Sequence, residues 1–133
     1  MYLSLLSKEE KNYFADLVLK VVIVDGEMTE LEKKLTKRLS NEMGDEVSRH
    51  RSNLSLDKLI KYFSAKSKTI RNIIYLNVLS VSLHDDFYSV EEHFLLDKIK
   101  EEFQITDKKR AELMKIVYAE RDLREKAKRV VTE

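Results

Sequence analysis

Two of the 133 residues are glycine and none is proline. Such a chain can reverse sharply in few places, because glycine supplies positive φ and proline pre-sets the first corner of a turn. Ordinary usage is about 7% glycine and about 5% proline. Many-stranded β folds, which depend on tight hairpins, are excluded on this ground. So are the glycine-rich loops that cradle phosphates. The sequence also lacks cysteine, which removes disulfides, thiolate zinc sites and cysteine nucleophiles. Hydrophobic residues at 43% suffice for one core, and charged residues at 37% suit long solvated helix faces. The expectation is an all-α, single-domain helical bundle over residues 1–133.

Charge narrows the partners. Lys plus Arg is 25 against 24 Asp plus Glu, without the basic excess usual in nucleic-acid binders, so no nucleic-acid partner is expected. No apolar run reaches about 18 residues, so no membrane span is expected. Met1 to Lys11 lacks the basic start and long apolar core of a secretory signal. A cytoplasmic protein with a protein partner is the resulting expectation.

Helix starts are legible. Ser7 with Glu10, Thr29 with Glu32, and Ser89 with Glu92 each form a capping box, in which the hydroxyl and the carboxylate satisfy each other's backbone N–H. Thr106 before Asp107 is a plainer N-cap, and Ser55 and Ser67 are further candidates. Together they predict helices near 7–24, 29–43, 55–64, 67–84, 89–103 and 107–130. Helix 29–43 carries a narrow stripe of Leu31, Leu35, Leu39 and Met43. Helix 89–103 carries Val90, Phe94, Leu95, Ile99 and Phe103. By contrast, the later part of helix 7–24, from Leu17 to Val24, and helix 67–84 are apolar nearly all round, which places them at the centre of the bundle. Lys20 interrupts the first and is expected to snorkel or to pair with Asp16. Asn77 and Ser80 interrupt the second and should face a helix junction, where buried polar groups find partners. The last helix has apolar positions at Leu113, Met114, Val117, Leu123, Ala127 and Val130. From Asp107 to Glu133 it holds nine basic and six acidic residues, a composition that suits either a solvated face or a docking helix.

Shifted by 60 residues, the chain matches itself. Val18, Leu19, Val21, Asp25, Glu32, Leu35 and Glu42 fall on Val78, Leu79, Val81, Asp85, Glu92, Leu95 and Glu102. Ile23, Thr29, Arg38, Leu39 and Met43 fall on Leu83, Ser89, Lys98, Ile99 and Phe103. The pattern predicts two pseudo-symmetric helix-loop-helix repeats, about 7–44 and 67–104, joined by a linker at 45–54 and followed by the last helix, 107–130. A repeat this short cannot bury its own apolar face alone. The two glycines, Gly26 and Gly44, fall on Asp86 and Gln104. Asp tolerates a left-handed helix end better than most residues. At Gln104 the expected break is looser or differently shaped than at Gly44.

Asp25, Gly26, Thr29 and Glu32, with Asp85, Asp86, Ser89 and Glu92 in the second copy, resemble the TerB-like domain, a family that includes tellurite-resistance proteins and the N-terminal domain of membrane-anchored J-domain co-chaperones. The likeness covers roughly residues 7–130 and departs from the family pattern at Asp86, where glycine is expected. The resemblance implies six to seven helices, a stress-response role through protein interaction, association with membrane-linked complexes, and a divalent metal ion at the acidic loops. Its candidate ligands are Asp25, Glu32, Asp85, Asp86 and Glu92, hard oxygen donors suited to Ca²⁺, Mg²⁺ or Mn²⁺. Read from the residues alone, Glu32 and Glu92 serve equally well as capping acids. An EF-hand is excluded because Val21 and Ile23 occupy the first ligand positions.

The histidines, His50, His84 and His93, form no Glu-x-x-His or His-Glu-x-x-His pair. His84 beside Asp85 is a ligand or switch candidate, and His93 is expected at the surface. No catalytic residue is assigned. A metal-free regulatory bundle docking a partner through the charged last helix is the alternative, and a carboxylate–metal hydrolase is the third reading.

Overall fold

The computed structural model of the protein describes residues 2–22, 37–44, 53–84 and 90–133. All regular structure among them is helical. A 3₁₀ turn, Leu3–Leu5, precedes α1, Lys8–Val22. A helical segment occupies 37–43. Four helices follow: α2, Leu56–Ser64; α3, Lys68–His84; α4, Val90–Glu102; and α5, Asp107–Thr132. Each of the six expected helices is thus present, whole or in its described part. Residues 23–36, with Gly26 and the Thr29–Glu32 capping box, lie outside the described residues. So do 45–52, with most of the linker and His50, and 85–89, with Ser89.

The caps form as the sequence dictates. The Ser7 hydroxyl accepts from the Glu10 N–H at 3.1 Å, and the Ser7 N–H donates to Glu10 Oε1 at 2.8 Å. Ser55, Ser67 and Thr106 accept from Lys58, Ile70 and Lys109 N–H groups at 3.2, 3.3 and 3.1 Å.

α3 is the axis of the bundle, packing against α1, α2, α4 and α5. Its residues from Ile73 to Ser80 are buried without a break, as are those of α1 from Phe14 to Leu19. Two helices with apolar groups around most of their circumference must be enclosed on several sides, and these two are. Lys20 pairs with buried Asp16 at 2.6 Å. Asn77 Nδ2 donates to the Ile73 carbonyl one turn back at 2.8 Å. Arg38 Nη2 donates to Ser80 Oγ at 3.3 Å, tying the 37–43 segment to α3. Phe14, Phe63 and Tyr75 fill the core. Tyr13 and Tyr62 meet edge to face at its rim, where the Tyr62 hydroxyl donates to Glu9 Oε1 at 2.8 Å. The 3₁₀ turn was not expected; it carries Leu3 and Leu6 into the core.

One expectation needs correction. α4 buries Glu92, Leu95, Leu96, Ile99 and Lys100, and leaves Val90 and Phe94 65% and 67% exposed. At about 100° per residue, Leu95, Leu96, Ile99 and Phe103 share one face while Val90 and Phe94 share the opposite one. The helix offers two apolar seams, and packing on α3 selects the one with more branched aliphatic volume.

The end of α4 is not looser than the end at Gly44 but is, as expected, differently shaped: Gly44 N–H donates to the Ser40 carbonyl four residues back at 2.9 Å. Gln104 takes a left-handed φ of 56°, Gln104 N–H donates to the Glu101 carbonyl at 3.1 Å, and Ile105 N–H donates to the Lys100 carbonyl at 3.0 Å. These two bonds make a complete Schellman motif, with Ile105 buried behind it. Gly44, its partner at the 60-residue offset, has a φ of 99°. The matched pairs Val18/Val78, Leu19/Leu79 and Leu39/Ile99 are buried alike.

Candidate functional site

Of the five candidate metal ligands, Glu92 alone falls among the described residues. It lies in the first turn of α4 and is completely buried, at 0% exposure. Asp25, Glu32, Asp85 and Asp86 lie outside the described residues. Among the described residues, no group of three or more His, Asp or Glu is gathered to hold a metal ion. His93 is at the surface, 3.4 Å from Asp97. His84 ends α3.

The described residues most suited to binding are on α5. The Thr106 cap starts this helix, and Leu113 and Val117 are its two buried anchors. Ion pairs hold its first turns to α4: Lys100 reaches Asp107 at 2.9 Å, and Arg110 reaches Asp97 at 2.8 Å. Beyond Val117 the contacts thin out, and every residue from Arg121 to Glu133 is exposed. A second apolar row runs along this half: Ile116, Leu123 and Val130 are 47%, 67% and 63% exposed, with Val131 beside them. The six apolar positions read from the sequence as one thinning stripe are therefore two. Leu113, Val117 and half-buried Met114 pack on the bundle, whereas Leu123, Ala127 and Val130 are exposed. Ile116 and Val131 were overlooked. The seven-residue spacing of Ile116, Leu123 and Val130, out of phase with Leu113 and Val117, was the signal that could have found them.

Where the two halves of α5 meet, charges collect. Glu120 and Arg124 form an ion pair one turn apart. Arg38 approaches from the 37–43 segment. Burial holds its guanidinium pKa below the ordinary value, and Arg124 adds to that depression while Glu42 and Glu120 oppose it. The guanidinium nevertheless keeps its proton at neutral pH, so the junction is a balanced cluster of two arginines and two glutamates beside the start of the exposed row. Elsewhere, a groove between α2 and α4, lined by Asp57, Ile60, Lys61, Lys98 and Glu102, is crossed by the Lys98–Asp57 ion pair at 2.5 Å.

Compared with known protein families, with curated proteins and with solved structures, the chain matches none. No described helix is long and apolar enough to cross a membrane.

Proposed function

We propose that this protein is a non-enzymatic helical module that acts through protein interaction, with the exposed half of α5 as its docking element. The observation that carries the reading is the exposure of all residues from Arg121 to Glu133 while Leu123, Val130 and Val131 stand on that stretch. Helices shorter than about 12–15 residues are marginal in water without an apolar face to bury. Here about four turns extend past the last buried anchor with a ready apolar face, and covering that face by a partner offsets the cost of ordering them. Truncation after Val117 retains both anchors. The shortened chain should keep a helical, cooperatively unfolding core and lose partner capture in a pull-down; undiminished capture would refute the docking role.

A second reading follows the TerB-like resemblance: two repeated helical halves and a divalent metal at Asp25, Glu32, Asp85, Asp86 and Glu92, in a stress-response protein. Glu92, the one described member of this set, is buried in the first turn of α4, a position that suits a ligand and a capping acid alike. Titration calorimetry with Ca²⁺, Mn²⁺ and Zn²⁺ tests it on the wild type and on Asp25→Asn/Asp85→Asn. Heat in the wild type that disappears in the variant is the expected result. No heat in either protein removes the metal and, with it, the hydrolase reading. The stress-response role rests on the resemblance alone.

A further inference from the structure

The exposed row on α5 has an internal symmetry. Taking Leu123 as centre, Ile116 and Val130 lie seven residues to either side, and Ala119 and Ala127 lie four to either side. All five are exposed. The charges around the centre are antisymmetric: Asp122 opposes Arg124, and Glu120 opposes Lys126. At about 100° per residue, Glu120 and Arg124 border the row on one edge, and Lys115, Asp122, Lys126 and Glu133 border it on the other.

We propose that this row is a self-association surface, on which a second copy of the chain docks antiparallel about a twofold axis at Leu123. The proposal rests on α5 as the docking element and names its partner. Such a twofold brings each edge against the same edge of the second copy, run in reverse. Glu120 then lies alongside Arg124 of the second copy, offset by about 3 Å along the axis at 1.5 Å rise per residue. Asp122 lies alongside Lys126 of the second copy, and Lys115 alongside Glu133, with the same offset. These pairs make six opposite-charge edge contacts, against two like-charge contacts at the twofold itself, Asp122 with Asp122 and Arg124 with Arg124, at the same offset of about 3 Å, while Leu123 meets Leu123, Ile116 meets Val130 and Ala119 meets Ala127. The parallel alternative brings opposite edges together. It would place Glu120 beside Asp122 and Arg124 beside Lys126, with only Arg124 beside Asp122 as an opposite-charge contact at the same offset, so like charges outnumber opposite ones and select against it. The two anchored ends of the helices point away from each other, leaving the bundles at opposite ends of the pair. Closed twofold contacts of this self-complementary kind are the commonest among homo-oligomers.

The absence of cysteine from the chain makes the arrangement directly testable. Leu123→Cys, Ile116→Cys and Val130→Cys all change exposed side chains, and unaltered circular dichroism would verify that each variant folds. Under mild oxidation Leu123→Cys should cross-link to itself. Ile116→Cys should not, because two copies of residue 116 are about 21 Å apart along the axis, well beyond the roughly 7 Å that a disulfide can span between Cα atoms. Ile116→Cys mixed with Val130→Cys should give the heterodimer. Self-cross-linking of Ile116→Cys would overturn the antiparallel arrangement. Failure of Leu123→Cys to cross-link, with a chain that sediments as a monomer, would overturn self-association altogether. If a monomeric chain still loses capture of a different protein on truncation after Val117, the docking role stands and the second copy alone is refuted; if capture survives truncation, both fall.

Discussion

Gln104 holds a backbone conformation that suits glycine. A left-handed φ places the Cβ of an L-residue against the carbonyl and costs about 1–2 kcal/mol, yet the Schellman bonds to Lys100 and Glu101 require it there. Gln104→Gly should therefore stabilise the protein by roughly 1 kcal/mol, read as a higher urea midpoint at unchanged slope. Gly44→Ala should move the midpoint the other way by a similar amount. A Cβ at position 44 would meet nothing within 4 Å, so its penalty is in the backbone alone. The sequence marked the break at 104 only through its offset from Gly44. The bonds that define the break are between backbone groups, and glutamine gives no outward sign of positive φ.

At the scale of helices, starts were easier to read than faces. A cap needs a hydroxyl and an N–H three residues on, so Ser7, Ser55, Ser67 and Thr106 could each be read locally. The buried face of α4 could not, because Val90/Phe94 and Leu95/Leu96/Ile99 are both apolar and only the position of α3 decides between them. Leu96, wholly enclosed, should cost about 2–5 kcal/mol when cut to alanine, whereas Phe94→Ala should change the denaturation midpoint little. α4 is also joined to its neighbours by charge. A hydrogen bond from Lys98 holds the Asp57 carboxyl below its ordinary pKa, and one from Lys100 does the same for Asp107. Both lysines are raised in return. The carboxylates' contribution is present above the ordinary carboxylate range and is lost as pH falls through their depressed values. The lysines' contribution is present below their ordinary pKa and is lost as pH climbs through their raised ones. Stability from these pairs should be level across neutral pH and fall at both extremes. In a urea series Asp57→Asn/Asp107→Asn should flatten the acid limb. An unchanged acid limb would mean the pairs do not contribute.

For the whole molecule, the decisive sequence signal was contrast between helices. α1 and α3 are apolar on nearly every side and form the centre, and turn poverty had already restricted the chain to helices. The candidate site was less legible. Four of its five acidic members lie outside the described residues, and the fifth, Glu92, is enclosed. The exposed apolar row of α5 was hidden because Leu113 and Val117 on one row and Leu123 and Val130 on the next read as a single amphipathic stripe in a one-dimensional pattern. The seven-residue spacing of Ile116, Leu123 and Val130 and the point where the bundle ends together separate them. The central claim, that association runs through the exposed half of α5, is tested most directly by sedimentation equilibrium. The intact chain and the chain truncated after Val117 would be compared from about 1 μM to about 1 mM, a span that brackets ordinary weak-to-moderate affinities. The account predicts that the intact chain rises toward twice the monomer mass while the truncated chain stays monomeric. Two monomers at every concentration, or two chains that dimerise equally, would contradict it.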